Sequence, residues 1–313
     1  MSLEVRPFRR GDREQLTALV NAHIAAVVPG GAVSVARILA QLEREPGEFI
    51  VDPWVDERST VVAVQRDRVV AAAHLLRYSA DEHVGESYRG AAEIRWFLFW
   101  PEAPFWQGSL DAADTLLAAC IAQLDRWAAR MQYADGTLPH PGVYGVPAQW
   151  PHVREALARA GFGVDAESRT ETVFLAEVEN LPPVGSPPLV DLRVARSVGI
   201  NGTRLTALLG EVQVGYVEVE ILDEAERLGR QGRFADIGNL DVVEAQRRRG
   251  VGTWLVAHAG EWLRLGRVDR LLGYAGPEDE ECLTPFLESV GFSVLTRTER
   301  GWSRPSATSA SGG

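Results

Sequence analysis

Cysteine is scarce in this chain, and its scarcity removes several classes of protein. Only Cys120 and Cys282 occur. They are too few for a disulfide framework and lack the paired spacing of a metal site, so no metal is expected. Cys120 falls on an apolar helix face and reads as core. Long apolar runs are also missing. No window approaches the ~18 consecutive apolar residues of a membrane-crossing helix, so no membrane association is expected. The N-terminus carries Arg6, Arg9 and Arg10 among acids, with no apolar signal core behind them, which predicts a cytoplasmic protein. Positive charge is in the minority: 32 basic residues face 43 acidic ones, a net charge of −11. That argues against a general nucleic-acid binder. It suits solubility, and it suits a cationic substrate such as an amine.

What remains is ordinary for a soluble globular protein: 46% hydrophobic and 24% charged residues. At 313 residues the chain exceeds one typical domain, and two are expected.

The most telling stretch is Gln246-Arg247-Arg248-Arg249-Gly250-Val251-Gly252-Thr253. It follows a strand-like segment, Ile237 to Val243, and opens a helix-patterned one, Trp254 to Leu265. A strand running into a glycine-rich turn and a helix start makes an anion cradle. The first amides of the helix have no partner of their own, and the macrodipole adds partial positive charge. Gly250 and Gly252 allow close approach, and three guanidinium groups supply phosphate ligands. A mononucleotide P-loop is excluded, because one residue separates the glycines and no lysine follows. A dinucleotide fingerprint is excluded, because its third glycine would fall on Leu255.

Arg247-x-x-Gly250-x-Gly252 at a strand-to-helix junction resembles the Gln/Arg-x-x-Gly-x-Gly/Ala motif of the GCN5-related N-acetyltransferase (GNAT) superfamily. The downstream Leu287-x-x-x-Gly291-Phe292 resembles that family's last helix and strand. The resemblance implies an acetyl-CoA cosubstrate, with its pyrophosphate on the amides of Arg248, Arg249, Gly250, Val251, Gly252 and Thr253. It also implies pantetheine along the backbone of Asp241, Val242 and Val243.

The pattern occurs twice. Leu157-x-x-x-Gly161-Phe162-x-Val164 matches Leu287-x-x-x-Gly291-Phe292-x-Val294. The first half reads strand, helix capped by Asp12 with Gln15, helix from Ser34, hairpin around Arg66-Asp67, strand 92–100, helix from Leu110 through Met131, then a short strand, a helix and further strands. The second half shows a hairpin turning at Gly210-Glu211 and lacks the two early helices. The expected fold is α/β with mixed sheets: two tandem GNAT domains, the first degenerate. Boundaries are expected at 1–178, a Pro-rich linker at 179–190, 191–303, and a disordered tail at 304–313.

After Trp100 the first half reads Glu102 to Ala112, with Gln107 followed by Leu110 and Ala112 where small residues are expected. Asp111 and Asp114 would repel a pyrophosphate. The first half is therefore expected not to bind coenzyme A. Its aromatic run, Trp96, Phe97, Phe99, Trp100, Phe105 and Trp106, either lines a substrate cleft or fills a buried strand.

The family's usual tyrosine acid falls on Leu287, and the asparagine upstream of it on Glu280. Tyr274 is the substitute acid, with Cys282 behind it. For the base, Asp236 occupies the place of a glutamate found in some family members; Glu218, Glu220 and Glu244 are alternatives. His258 reads as a packing residue. The resemblance implies an N-acetyltransferase whose acceptor is a small-molecule or peptide amine. A non-catalytic CoA-binding sensor competes with it, motivated by the missing tyrosine. A transferase using another acyl donor is a third reading. The sequence does not fix the oligomeric state.

Overall fold

The computed structural model describes residues 3–43, 52–100, 108–134, 143–164, 170–200, 202–222 and 233–305. The chain divides into two compact units, one of residues 1–170 with 298–313 and the other of residues 171–297.

In the first unit β1 (Leu3–Pro7) leads to α1 (Arg13–Val27) and α2 (Val35–Glu43), then β2 (Val55–Gln65), β3 (Arg68–Tyr78) and β4 (Ala92–Phe99). There follow α3 (Ser109–Arg126), β5 (Met131–Ala134), β6 (Val146–Pro147), α4 (Pro151–Arg159) and β7 (Gly163–Val164). Helix α1 buries Leu16, Leu19, Val20, Ile24 and Val27, the apolar stripe its spacing predicts. The β2–β3 hairpin turns on Arg66 and Asp67, with φ of 53° and 60°. Two left-handed residues match the twist of the flanking strands.

Local chemistry departs from expectation at two places. Asp12 does not cap α1 with its side chain. Its carboxylate accepts a bidentate pair from Arg6 at 2.7 and 2.9 Å and the amide of Arg9 at 2.8 Å. A guanidinium fork outcompetes a single helix amide. Gln15 instead ties the hairpin, accepting from the Val69 amide at 2.9 Å and donating to the Asp67 carbonyl at 3.2 Å. Helix α3 stops at Arg126, because Ala128 turns left-handed at φ 52°. Met131 therefore begins a strand rather than closing the helix.

The second unit runs β8 (Thr170–Glu177), β9 (Leu192–Val198), β10 (Thr203–Leu209), β11 (Val212–Ile221) and β12 (Phe234–Val242). It continues with α5 (Val251–Leu265), β13 (Arg270–Ala275), α6 (Glu280–Ser289) and β14 (Ser293–Glu299). Strands β9 and β10 are joined by residues 199–202 alone, so no helices stand there. The sheet order is β14-β8-β13-β12-β11-β10-β9, with β12 and β13 parallel. Helix α5 closes one face through Val251, Leu255, Ala259 and Leu263, packed in one core with Val217, Val219, Ala235 and Leu271.

A last strand, β15 (Trp302–Pro305), belongs to the first unit. It pairs antiparallel with β5, Trp302 opposite Ala134 and Pro305 opposite Met131, and with β7 through Trp302 and Ser303. The first sheet is thus β1-β2-β3-β4-β5-β15-β7. Trp302 is buried, and Arg304 Nη1 donates to Gln132 Oε1 at 3.0 Å. The expected tail therefore contains two strand residues, Arg304 and Pro305; residues 306–313 lie outside the described set. The seam between units also differs from the Pro-rich segment, because β8 hydrogen-bonds β13 of the second unit.

Candidate active site

Strands β12 and β13 pair in parallel only from Phe234, Ala235 and Asp236 to Arg270, Leu271 and Leu272. Beyond that point Ile237–Val242 and Gly273–Ala275 no longer pair with one another among the described residues. The two strands part, and the gap opens toward the start of α5. On its other side β12 stays paired with β11, with one extra residue, Gly238, between the pairs Ile237–Val219 and Asn239–Glu218. Such a bulge sharpens the local twist.

The chain leaves β12 through Glu244–Gln246 and enters α5 by way of Gly250, which is left-handed at φ 84°. A side chain at that φ is strained, and a Cβ would also meet Pro188 at 3.1 Å. A Cβ on Gly252 would lie 3.2 Å from the Phe286 ring, a tight contact that disfavours a side chain there. The amides of residues 248–253 make no backbone hydrogen bond among the described residues, and the first bond of the turn runs from Trp254 N to Gly250 O at 3.0 Å. The turn therefore presents a row of free donors rather than filling itself. Arg247 leans back on its own loop, donating from Nε to Val242 O at 2.8 Å and lying 3.8 Å from Asp241. Arg249 donates to Gln246 Oε1 at 2.7 Å. Arg248 is exposed and left-handed at φ 58°. The Val243 amide is already bonded to Val214 O at 3.0 Å, so within this stretch it is occupied.

Asp236 stands where the strands part, on the sheet face opposite α5. Its carboxyl is pushed up from 3.8 to about 7. Burial is the main cause, and Glu220 adds repulsion. The nearby Tyr274 hydroxyl offsets this in part. Oδ1 of Asp236 is buried without a partner among the described residues. Glu220 lies directly across the β11–β12 ladder from Asp236, and Leu272 directly across on β13. Tyr274, two residues beyond Leu272, shares that face. The two side chains expected as base and acid, far apart in sequence, thus meet at one spot.

The alternatives are otherwise engaged. Glu218 is buried and accepts from Asn239 Nδ2 at 2.9 Å, with Arg204 at 3.6 Å. Glu244 is exposed at the loop. Glu280 accepts from Thr172 and from Arg297, each at 3.0 Å, and Arg297 holds its carboxyl below the usual range. Leu287 is core. Cys282 is exposed on α6. His258 packs edge-on against Trp254 at 4.4 Å, and burial lowers its pKa.

The first unit repeats this framework with different side chains. Among the described residues strands β4 and β5 are parallel over Ala92–Ile94 and Gln132–Ala134. Helix α3 is entered through Gly108 at φ 90°. Gly108 thus stands where Gly250 stands, which shifts the sequence alignment: the second glycine becomes Leu110. Ile94 holds the register place of Asp236. Trp96, Phe97 and Phe99 are buried in β4 and Trp96 stacks on His74, so they form core rather than a cleft wall. Glu102, Phe105, Trp106 and Gln107 lie outside the described residues.

Among the described residues no helix is long and apolar enough to cross a membrane. Residues 175–292 match the acetyltransferase (GNAT) family. The chain is similar to a tandem GNAT protein from the clavulanic acid biosynthesis pathway, with a TM-score of 0.64 and 15% identity over 97% of this chain and 98% of that one. It is similar also to a GCN5-related N-acetyltransferase from Sphaerobacter thermophilus, with a TM-score of 0.60 and 15% identity over 97% and 96%. No curated protein matches the chain.

Proposed function

We propose, from the premise that residues 175–292 form a GNAT domain within a tandem GNAT fold, that this protein transfers an acetyl group from acetyl-CoA to an amine. The acceptor is a small-molecule or peptide amine, and transfer occurs by direct attack in the second unit. The coarser statement, an acyl-CoA N-acyltransferase fold, follows from the family match. The donor, the acceptor and the residue roles are our reading.

One observation carries it: β12 and β13 part beside a row of unpaired amides, 248–253, at the start of α5. Those amides, with Arg247, Arg248 and Arg249, would hold the diphosphate; β12 backbone near Asp241 and Val242 would hold the pantetheine arm. The thioester supplies an activated acyl group. The amine must lose a proton and the departing sulfur must gain one. Asp236 takes the first proton. A carboxyl near 7 is a far better acceptor than one near 3.8, while still half ionised at neutral pH. Tyr274, beside Asp236 on the same sheet face, gives the second. The first unit, with Ile94 and Leu110 in place of Asp236 and Gly252, takes no part in the chemistry and binds no CoA. We place the reaction in the cytoplasm, where acetyl-CoA and free amines meet.

Titration calorimetry with CoA and acetyl-CoA tests the binding half. Heat with both ligands is expected, and its absence rules the proposal out. Release of free thiol from acetyl-CoA across an amine panel tests turnover. Binding without release on any amine would instead favour a CoA sensor.

A further inference from the structure

Two carboxylates, Asp236 and Glu220, face each other across the ladder at the point where β12 leaves β13. Opposed side chains in such a ladder have Cβ atoms about 4.5–5.5 Å apart, and like charges there are unfavourable. Asp236 is half-buried, with its Oδ1 shielded from solvent, while Glu220 is exposed. The arrangement costs stability and supports no packing. We propose that Glu220 is a positioning residue that keeps Asp236 ready to accept a proton, and that the pair selects acceptors arriving as alkylammonium ions rather than as neutral arylamines. This inference rests on the acyltransfer reading above.

The surroundings sharpen the assignment. From β11, Glu220 faces Asp236 directly, and Glu218, two residues earlier, is neutralised by Arg204 and Asn239. From β13, the Tyr274 hydroxyl approaches Asp236 and favours its ionised form. Arg270 lies on the same face but is committed to Glu177 at 3.2 Å and covers the Phe234 ring. On β12 itself the same-face neighbours are Phe234 and Asn239, both uncharged. Glu220 is therefore the one charged group directly opposite Asp236 that no oppositely charged side chain engages among the described residues. An ammonium ion entering there meets two carboxylates. It hands one proton to Asp236 as that N–H bond breaks; the freed lone pair then attacks the thioester carbon, and as the C–S bond breaks a second N–H proton passes, by way of Tyr274, to the departing sulfur. The pair therefore carries one added proton, on Asp236, at the end of the transfer.

The test needs no turnover. Protein carrying ¹³C-labelled aspartate is titrated by NMR, with Asp236→Asn identifying the Asp236 carboxyl signal. Glu220→Gln should lower its midpoint by about half to one pH unit, as expected for one screened like charge at this range. Glu220→Asp should restore most of the difference. Butylammonium chloride should lower the midpoint in the wild type and do so less in Glu220→Gln, whereas aniline should leave it unmoved. An Asp236 midpoint indifferent to Glu220→Gln overturns the inference. So does equal sensitivity to butylammonium and aniline. Either result leaves the acyltransfer reading intact, since that reading stands or falls on CoA binding and thiol release.

Discussion

Replacing Asp236 with asparagine should trade activity for stability, and both sides of the trade follow from one buried carboxyl. Asp236 is raised from 3.8 to about 7. Below pH ~4 the folded and unfolded chains both carry the proton, and the group contributes no difference. Between the two values the folded chain holds a proton that the unfolded chain has lost, so stability falls as pH rises. Above pH ~7 the carboxylate is ionised in both states and its cost is complete. Moving the titration from 3.8 to 7 corresponds to at most ~4 kcal/mol, and incomplete burial reduces that figure. Asparagine keeps the shape without the charge. The thermal midpoint of Asp236→Asn should therefore match the wild type near pH 4 and exceed it by several degrees at pH 8. Over the same range the wild-type kcat/KM for an amine should rise with an inflection near 7, from about a tenth ionised at pH 6 to about nine-tenths at pH 8. In the variant that inflection should vanish and the rate fall by ~10²–10⁴. Calorimetric scans and a thiol-release assay read both. The assay has a clean background, because all 32 basic residues are arginine and no lysine amine competes as acceptor. A variant whose advantage over the wild type is no larger at pH 8 than at pH 4, or one that keeps the inflection, would refute the reasoning.

Other perturbations act on separate parts of the structure. Arg249→Glu should weaken CoA binding about 10- to 100-fold by calorimetry, the scale of one lost charge-assisted bond and added repulsion, while leaving the thermal midpoint nearly unchanged. Gly252→Leu places a branched chain against Phe286, where even a Cβ lies at 3.2 Å. It should cost ~1–3 kcal/mol and abolish CoA binding, measured by urea denaturation and calorimetry. A chain ending after Arg297 loses β15 and leaves β5 and β7 without a shared neighbour. Its first unit should lose hydrogen-exchange protection, and Trp302→Ala alone should cost ~3–5 kcal/mol.

Local signals in the sequence carried the elements well where partners are close along the chain. The β10–β11 hairpin falls at Thr203–Leu209 and Val212–Ile221 around Gly210, as its alternation and turn predict. The Arg66-Asp67 turn is equally local. Errors arose where a distant group decides. Asp12 reads as a cap until Arg6 claims it, and Gln15 serves a hairpin that begins 40 residues later. Strand β15 is four residues long, and nothing in Trp-Ser-Arg-Pro announces that its partners are residues 131–134 and 163–164. The same divide runs through the site. The turn into α5 is contiguous, and its strand–turn–helix form is legible. Asp236 and Tyr274 could be named one by one, but their meeting depends on the parallel register of β12 with β13. The opposition of Glu220 depends on where the Gly238 bulge falls. No pattern of residue types reports a register across residues 222–233.

The two units differ less in framework than in what the framework holds. Each has a parallel strand pair that spans three residues on each strand among the described residues, and each enters the following helix through a left-handed glycine. A shared backbone of this kind fixes where a reacting group can stand, but not whether one does. In the first unit Ile94 fills the position of Asp236 and satisfies the packing at no electrostatic cost. In the second the same position carries a carboxylate that burial and Glu220 both disfavour. Such a cost is tolerated where the group performs chemistry, and Asp236→Asn would remove it with one atom exchanged. On the proposed reading, acid, glycine and unpaired amides belong together: a disfavoured carboxylate in one unit and an isoleucine in its counterpart are what a duplicated fold with a single working site would carry.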